Sequence, residues 1–286
     1  MLKLAVNFSE SLLNLLQQNP GIPVDYIKVP TIPFPDCFSQ FEQGEKWRKL
    51  LPHPAQPGVI ALGHPQPQQQ FNPELVGEII RRTNPSYLST HLEAQVAYFP
   101  EFRQLQHINH PELKQVMLKR FLTAIKKVKA TTGLPLILEN FPYYLWLNHF
   151  RTAAEPQFIA ELCTAGDCGL LLDIAHARCS AASLGWDDQD YIFALPLERL
   201  REVHLAGVGK CEYGICDTHT ALEDWDYQLL QAVLERAKPE IITLEYGGMP
   251  EQIRDLNGKL RPVSRNCQSE LETMIFRLRE LIEGVL

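Results

Sequence analysis

The chain has 286 residues, of which 45% are hydrophobic, enough apolar material for a sizeable core. Its formal net charge of −7 is spread without a run of five like charges. That balance argues against a nucleic-acid surface, which needs clustered Lys and Arg.

The first β-rich run is Leu2–Phe8 (LKLAVNF). The N-terminal stretch around it, broken by Asn7, Ser9, Glu10 and Asn14, lacks the long apolar core of a secretory signal. A second run, Val24–Pro30, is followed by Thr31–Pro57, rich in Pro and aromatics, which reads as a long loop with one short helix. Gly58–His64 (GVIALGH) reads as the third strand, Pro65–Gln70 as a turn and Ser86–Leu92 as the fourth strand. Leu113, Val116, Met117, Phe121, Ala124, Ile125 and Val128 then share one face at the helical period. Leu134–Asn140 is the fifth strand; Phe158, Ile159, Leu162 and Cys163 mark another helix, and Gly169–Ala175 the sixth strand. The seventh, Glu202–Val208, breaks at Gly207 and Gly209 into a loop that runs to Trp225. A helix around Leu229, Leu230, Val233 and Leu234 leads to the eighth strand, Ile241–Gly247. Ser269 and Glu272 then form a capping-box pattern ahead of Leu271, Met274, Ile275, Leu278 and Leu281.

Eight strands alternating with helices predict α/β architecture, a single (β/α)8 TIM barrel of the xylose isomerase type filling residues 1–286 as one domain. No apolar run reaches 18 residues, so no membrane span is expected. Seven cysteines, an odd number without a CxxC, point to mostly reduced thiols and a cytoplasmic protein.

Nearly every strand from the third onward ends in a metal-binding side chain. In order these are His64, His91, Glu139, Asp173 with His176, His204 followed by Asp217 and His219, and Glu245. Strand C-termini of a (β/α)8 barrel converge on one face, where active sites lie. Taken singly, such a residue is ordinarily a satisfied polar group: Glu139 could cap a helix and Asp217 could make an Asx turn. The joint pattern at consecutive strand ends is what points to a metal centre. Five imidazoles and four carboxylates without a thiolate suit Fe, Zn²⁺ or Mn²⁺. Carboxylates crowded in a partly buried mouth repel one another, and two or three divalent cations would remove that cost. His53, His107, His110 and His149 fall in loops near prolines and are expected at the surface. Cys211 and Cys216, which flank the seventh-strand loop, read as ordinary loop thiols rather than ligands or a redox pair.

The series Glu139, Asp173-x-x-His176, His204, Asp217-x-His219, Glu245 resembles the ligand series of endonuclease IV and xylose isomerase-like barrels, a series that in endonuclease IV holds three zinc ions. The text from Cys168 to Trp225, with STHLEA (Ser89–Ala94) and LILENFPYY (Leu136–Tyr144), resembles the DUF692 family of multinuclear non-haem iron-dependent oxidative enzymes. That resemblance implies an iron centre, Fe ahead of Zn or Mn, that uses O₂ to modify a peptide or small thiol substrate, often presented by a partner protein. It makes Asn140 the candidate substrate contact. The chain departs from the family pattern at Ala94, His176 and Val208, where many members have Trp, Asn and His. Three other readings stand beside it: a zinc phosphodiester hydrolase like endonuclease IV, a sugar isomerase, and a non-catalytic metal-binding scaffold. Hydrolysis of DNA would need a basic surface, and an isomerase would need a strand-end Lys, for which Lys28 is the one candidate.

Overall fold

The structure is a computed structural model that describes residues 2–31, 37–211, 214–247, 252–254, 260–262 and 267–284. The chain begins with β1 (Lys3–Asn7), α1 (Glu10–Gln18), β2 (Tyr26–Pro30), α2 (Cys37–Gly44) and β3 (Lys49–His53). It continues through α3 (Pro67–Gln70), α4 (Pro73–Thr83), β4 (Leu88–His91), α5 (Pro111–Thr132), β5 (Leu136–Glu139) and α6 (Pro156–Gly166). Next come β6 (Gly169–Asp173), α7 (Ile174–Leu184), α8 (Asp188–Ala194), β7 (Leu200–Leu205), β8 (Gly207–Cys211) and β9 (Gly214–Thr220). The last part holds α9 (Asp224–Leu234), β10 (Ile241–Leu244), β11 (Gln252–Arg254), β12 (Leu260–Pro262) and α10 (Gln268–Gly284).

Eight parallel strands follow the order β3-β2-β1-β10-β7-β6-β5-β4. The end strands β3 and β4 approach each other, with the His53 and His91 rings 4.9 Å apart across the seam. The sheet is thus a nearly closed (β/α)8 barrel with helices outside. Side chains alternate between its two faces, as strand geometry requires. Leu4, Val6, Leu138, Leu170, Leu172, Val203, Leu205, Ile242 and Leu244 pack outward into the main core under the helices. The other parity builds the interior in layers. Ala5, Leu51, Tyr87, Ile137, Leu171 and Ile241 form an apolar layer. Two residues further along their strands, Ser89, Glu139, Asp173 and Thr243 are buried and polar. The chemistry therefore sits on the interior parity at the C-terminal ends.

Three sequence expectations are corrected. The third barrel strand is β3, inside the segment read as a loop, which also contains α2. Gly58–His64 is a turn whose Val59, Ile60 and Leu62 are buried against the helical layer, with one isolated bridge from Ile60 to Phe71. A short apolar run looks the same whether it feeds a strand or a packed turn. The predicted turn at 65–70 contains the one-turn helix α3, with Pro67 at its first position. Finally, the loop after β7 is a hairpin, β8 and β9, in a second, antiparallel sheet of order β12-β11-β8-β9. Gly207 is required at its start, because a Cβ there would lie 2.4 Å from the Ala221 carbonyl oxygen. Among the described residues no helix is long and apolar enough to cross a membrane.

Candidate metal centre

His53, His91, Glu139 and Asp173 are the last residues of β3, β4, β5 and β6; His204 is the penultimate residue of β7, and Glu245 directly follows β10. Parallel register sets His91 beside Glu139, and Asp173 beside His204. Glu139 is central. Its Oε2 lies 3.2 Å from His53 Nε2 and 3.5 Å from His91 Nε2, and its Oε1 lies 3.4 Å from His176 Nδ1 and 3.6 Å from His204 Nδ1. His204 Nδ1 is also 3.9 Å from Asp173 Oδ2 and 3.2 Å from Glu245 Oε1. Two sets, His53/His91/Glu139 and Glu139/Asp173/His204, have ligand atoms close enough to hold one ion each, and they share Glu139. The hairpin adds Asp217 Oδ2, 3.4 Å from His176 Nε2 and 3.1 Å from His219 Nε2. Glu245 Oε2 stands 3.6 Å from His219 Nε2, between the second set and this third one.

The ring orientations are fixed from behind. His204 Nε2 donates to Glu202 Oε1 at 3.1 Å, His176 Nδ1 to the Asn140 carbonyl at 2.9 Å and His219 Nδ1 to the Gly247 carbonyl at 3.3 Å. His53 Nδ1 meets Ser89 Oγ at 2.8 Å. In each ring the other nitrogen is left facing carboxylates, the arrangement by which an outer partner sets the tautomer of a metal-binding histidine. His219 adopts a left-handed φ of 48°, uncommon for a residue with a Cβ and frequent at functional sites. Its neighbour Asp217 is held by its backbone N–H, which donates to the Tyr144 hydroxyl at 3.0 Å. Asp173 caps α7, accepting from the His176 N–H at 2.7 Å.

A metal fits these residues better than protons do. Glu139 Oε2, Asp173 Oδ2, His204 Nδ1 and Asp217 Oδ1 are buried without a hydrogen-bond partner. Buried polar atoms ordinarily find one, and such groups clustered at one end of the barrel favour bound ions. Without a metal the electrostatics are opposed throughout. Burial, and then the Asp217, Glu139 and Glu245 carboxylates, push Asp173 up to about 7. Burial works against the charged forms of His176 and His219, yet their carboxylate neighbours lift both to about 10. His53, by contrast, is held well below its ordinary value by burial. Burial also opposes ionisation of Glu139, but the neighbouring imidazoles, His91 and His204 first, hold it well below the usual carboxylate range. Imidazolium protons thus stand in for cations among the carboxylates.

Of the nine expected ligands, the structure brings His91, Glu139, Asp173, His176, His204, Asp217, His219 and Glu245 together, with His53 beside them, and sets His64 apart. The His64 ring packs on Tyr98 with centroids 4.8 Å apart, and its Nδ1 accepts from the Gln66 N–H. It makes no described ion pair with the cluster. His53→Ala is accordingly expected to lower metal content by about one equivalent, and His64→Ala to leave it unchanged, by elemental analysis after gel filtration. Asn140, expected at the substrate, is buried and spends its amide on Asp173: Nδ2 donates to that residue's carbonyl and Oδ1 accepts from its N–H. His107 and His149, expected at the surface, bond to the Tyr143 hydroxyl and to Glu93. His110 is the N-cap of α5. Ala94 lies in the main core, and Val208 packs with Tyr144, Ala175, Cys179 and Ala206 under the hairpin. Cys216 is disulfide-bonded; Cys211's side chain lies outside the described residues.

A model of the family described as "RiPP precursor modification enzyme MbnB/TglH/ChrH" matches residues 36–267. A UPF0276 protein of Acaryochloris marina is 29% identical over 188 residues, 65% of this chain and 67% of its own length. A UPF0276 protein of an Anaeromyxobacter strain is 29% identical over 178 residues, 61% of this chain, and is spanned over 60% of its length. Among solved structures, a xylose isomerase domain containing protein from Salmonella typhimurium has a TM-score of 0.58 at 13% identity, covering 98% of this chain and 97% of that one. Endonuclease IV from Thermus thermophilus has a TM-score of 0.53 at 14% identity, covering 99% of each chain. These two likenesses concern the fold alone.

Proposed function

The chain belongs to the MbnB/TglH/ChrH family of RiPP precursor modification enzymes, and from that premise we propose that it is a multinuclear iron enzyme that oxidatively modifies a ribosomally made peptide with O₂. One observation carries the reading of the site: Glu139 turns one carboxylate oxygen to His53 and His91 and the other to His204 and His176. A carboxylate so placed would serve two ions at once, were they bound. The first ion would be held by His53, His91 and Glu139, and the second by Glu139, Asp173, His204 and Glu245. A third would take His176, Asp217 and His219. The oxygen and imidazole donor set suits Fe, with Zn²⁺ or Mn²⁺ as alternatives. Bound iron would supply the redox chemistry that no side chain here provides, with O₂ as oxidant and the peptide as electron source.

The protein's own contribution is orientation and binding. The outer acceptors Glu202, Ser89, Gly247 and Asn140 hold the rings. Leu145 and Trp146, 60% and 40% exposed, follow Tyr144, whose hydroxyl accepts from Asp217. Such an apolar lip beside the centre suits an extended peptide. Leu145→Ala/Trp146→Ala is expected to raise the KM for peptide about tenfold, corresponding to ~1.4 kcal/mol of lost binding, while metal content stays at the wild-type value.

The test uses protein purified without chelators. Elemental analysis and electron paramagnetic resonance identify the metal. O₂ uptake and mass spectrometry then follow cysteine-containing peptides, alone and with a partner protein encoded beside them. Iron, and an O₂-dependent mass change in the peptide, support the reading. Stoichiometric zinc together with cleavage of abasic-site DNA that disappears in His176→Asn would overturn it in favour of hydrolysis.

A further inference from the structure

Under the ligands lies a second buried polar group. Lys28, 1% exposed in the middle of β2, donates from Nζ to Glu202 Oε1 at 2.7 Å and to Ser89 Oγ at 3.4 Å. Glu202 is fully buried and accepts from three further donors: His204 Nε2 at 3.1 Å, Thr243 Oγ1 at 2.7 Å and, on Oε2, the Tyr87 hydroxyl at 2.9 Å. Ser89 Oγ is 2.8 Å from His53 Nδ1. These residues come from β2, β4, β7 and β10, with Tyr87 just ahead of β4, and form a polar floor across the barrel.

A buried ammonium is expensive unless paired and hydrogen-bonded. Here it is paired, but the pairing reaches further than Glu202. Its second N–H goes to Ser89 and occupies one lone pair of that hydroxyl oxygen. The same oxygen meets His53 Nδ1 at 2.8 Å, which turns His53 Nε2 toward Glu139 and His91. On the other side Glu202 Oε1, which accepts from Lys28 Nζ, also accepts from His204 Nε2–H, which turns His204 Nδ1 toward Asp173 and Glu245. One ammonium therefore stands two hydrogen bonds from a ligand of each set that Glu139 joins. Resting on the metal-centre reading above, we propose that Lys28 is a positioning residue that holds the His53 and His204 rings together and so couples the two metal sets.

The test is made on metal-stripped full-length protein titrated with Co²⁺ and followed by absorbance, with ring ¹⁵N shifts of the zinc-loaded protein as second readout. Loss of an outer partner lowers metal affinity about 10–100-fold. Ser89→Ala is expected to weaken one set by that factor and to move the His53 ring signals alone. Lys28→Met should weaken both sets, move both rings, and add nothing to the His53 set in the Ser89→Ala background. Wild-type Co²⁺ affinity and unmoved His53 signals in Lys28→Met would overturn the proposal. If Lys28→Met does not fold, Lys28→Met/Glu202→Gln removes both buried charges together. That variant should still weaken the His53 set; wild-type affinity in it would show that Lys28 serves only as Glu202's counter-charge, and the proposal falls. A wild-type protein that takes up no Co²⁺ would instead sink the metal-centre reading itself.

Discussion

Glu139→Ala is expected to empty two metal positions at once, whereas His91→Ala empties one. The difference follows from the two oxygens of a single carboxylate. Oε2 faces the His53 and His91 nitrogens, and Oε1 faces those of His204 and His176. Removing it leaves the first set with two neutral imidazoles and no charge, too few ligands for a site that normally takes three or four. The second set drops from four ligands to Asp173, His204 and Glu245 and loses one of its three carboxylates, so its ion is expected to be held too weakly to survive gel filtration. Peptide modification should fall at least ~10²-fold, the upper range for losing even an outer partner, in both variants. Metal content separates them, at about two equivalents lost against one by elemental analysis after gel filtration. Equal losses in Glu139→Ala and His91→Ala would show that Glu139 serves a single ion. Glu139→Gln refines the result: it keeps an oxygen but removes a charge, so metal retained there would assign the role to geometry rather than neutralisation.

The barrel was legible because its strands carry their signal locally. Ile137 and Glu139, Leu171 and Asp173, and Glu202 and His204 each place a ligand two residues beyond another interior position, the spacing strand geometry imposes. Leu51 and His53 carry the same spacing, but Pro52 sits between them and Pro54 follows. A proline inside a strand argues against the assignment unless the strand lies at an end of the sheet. β3 is such an end strand, and nothing local says so. The neighbouring run GVIALGH has the better strand composition, so it drew the assignment and brought His64 with it. Asn140 is a different case. Its partner is the backbone of Asp173, 33 residues away, and only the fold brings them together. Lys28 did leave a signal, a single charge inside the apolar run YIKVP. That signal marks an interior group but does not name Glu202 as its partner.

In the metal-free protein, Asp173→Asn should raise thermal stability above pH 7, although the same change should weaken metal binding. Burial and the neighbouring carboxylates lift the Asp173 pKa from 3.8 to about 7. A carboxyl whose folded pKa lies above its unfolded one holds its proton more tightly when folded. Its favourable contribution is complete below about pH 4 and is lost as pH rises through 7. Above that the folded chain carries a buried, crowded anion. A rise from 3.8 to about 7 corresponds to about 4 kcal/mol at most, and the expected gain is about 1–4 kcal/mol, a rise of several degrees in Tm. Asparagine keeps the cap on α7, since its side-chain oxygen can accept from the His176 N–H as Asp173 does. His176 and His219 add a term of the same sign: lifted to about 10, they stabilise the metal-free fold fully below about pH 6.5 and lose that effect as pH rises through 10. Metal binding must displace these protons, so stabilisation by metal should grow with pH while the metal-free protein weakens. Melting curves from pH 5 to 9, with and without metal, should therefore diverge in the wild type. In Asp173→Asn the metal-free curve should lie above the wild type at pH 8 and meet it near pH 4, and the metal-loaded curve should lie below. A metal-free Asp173→Asn protein that melts lower than the wild type at pH 8 would show that Asp173 acts there as a stabilising anion, and that the crowding of carboxylates is not what the metals relieve.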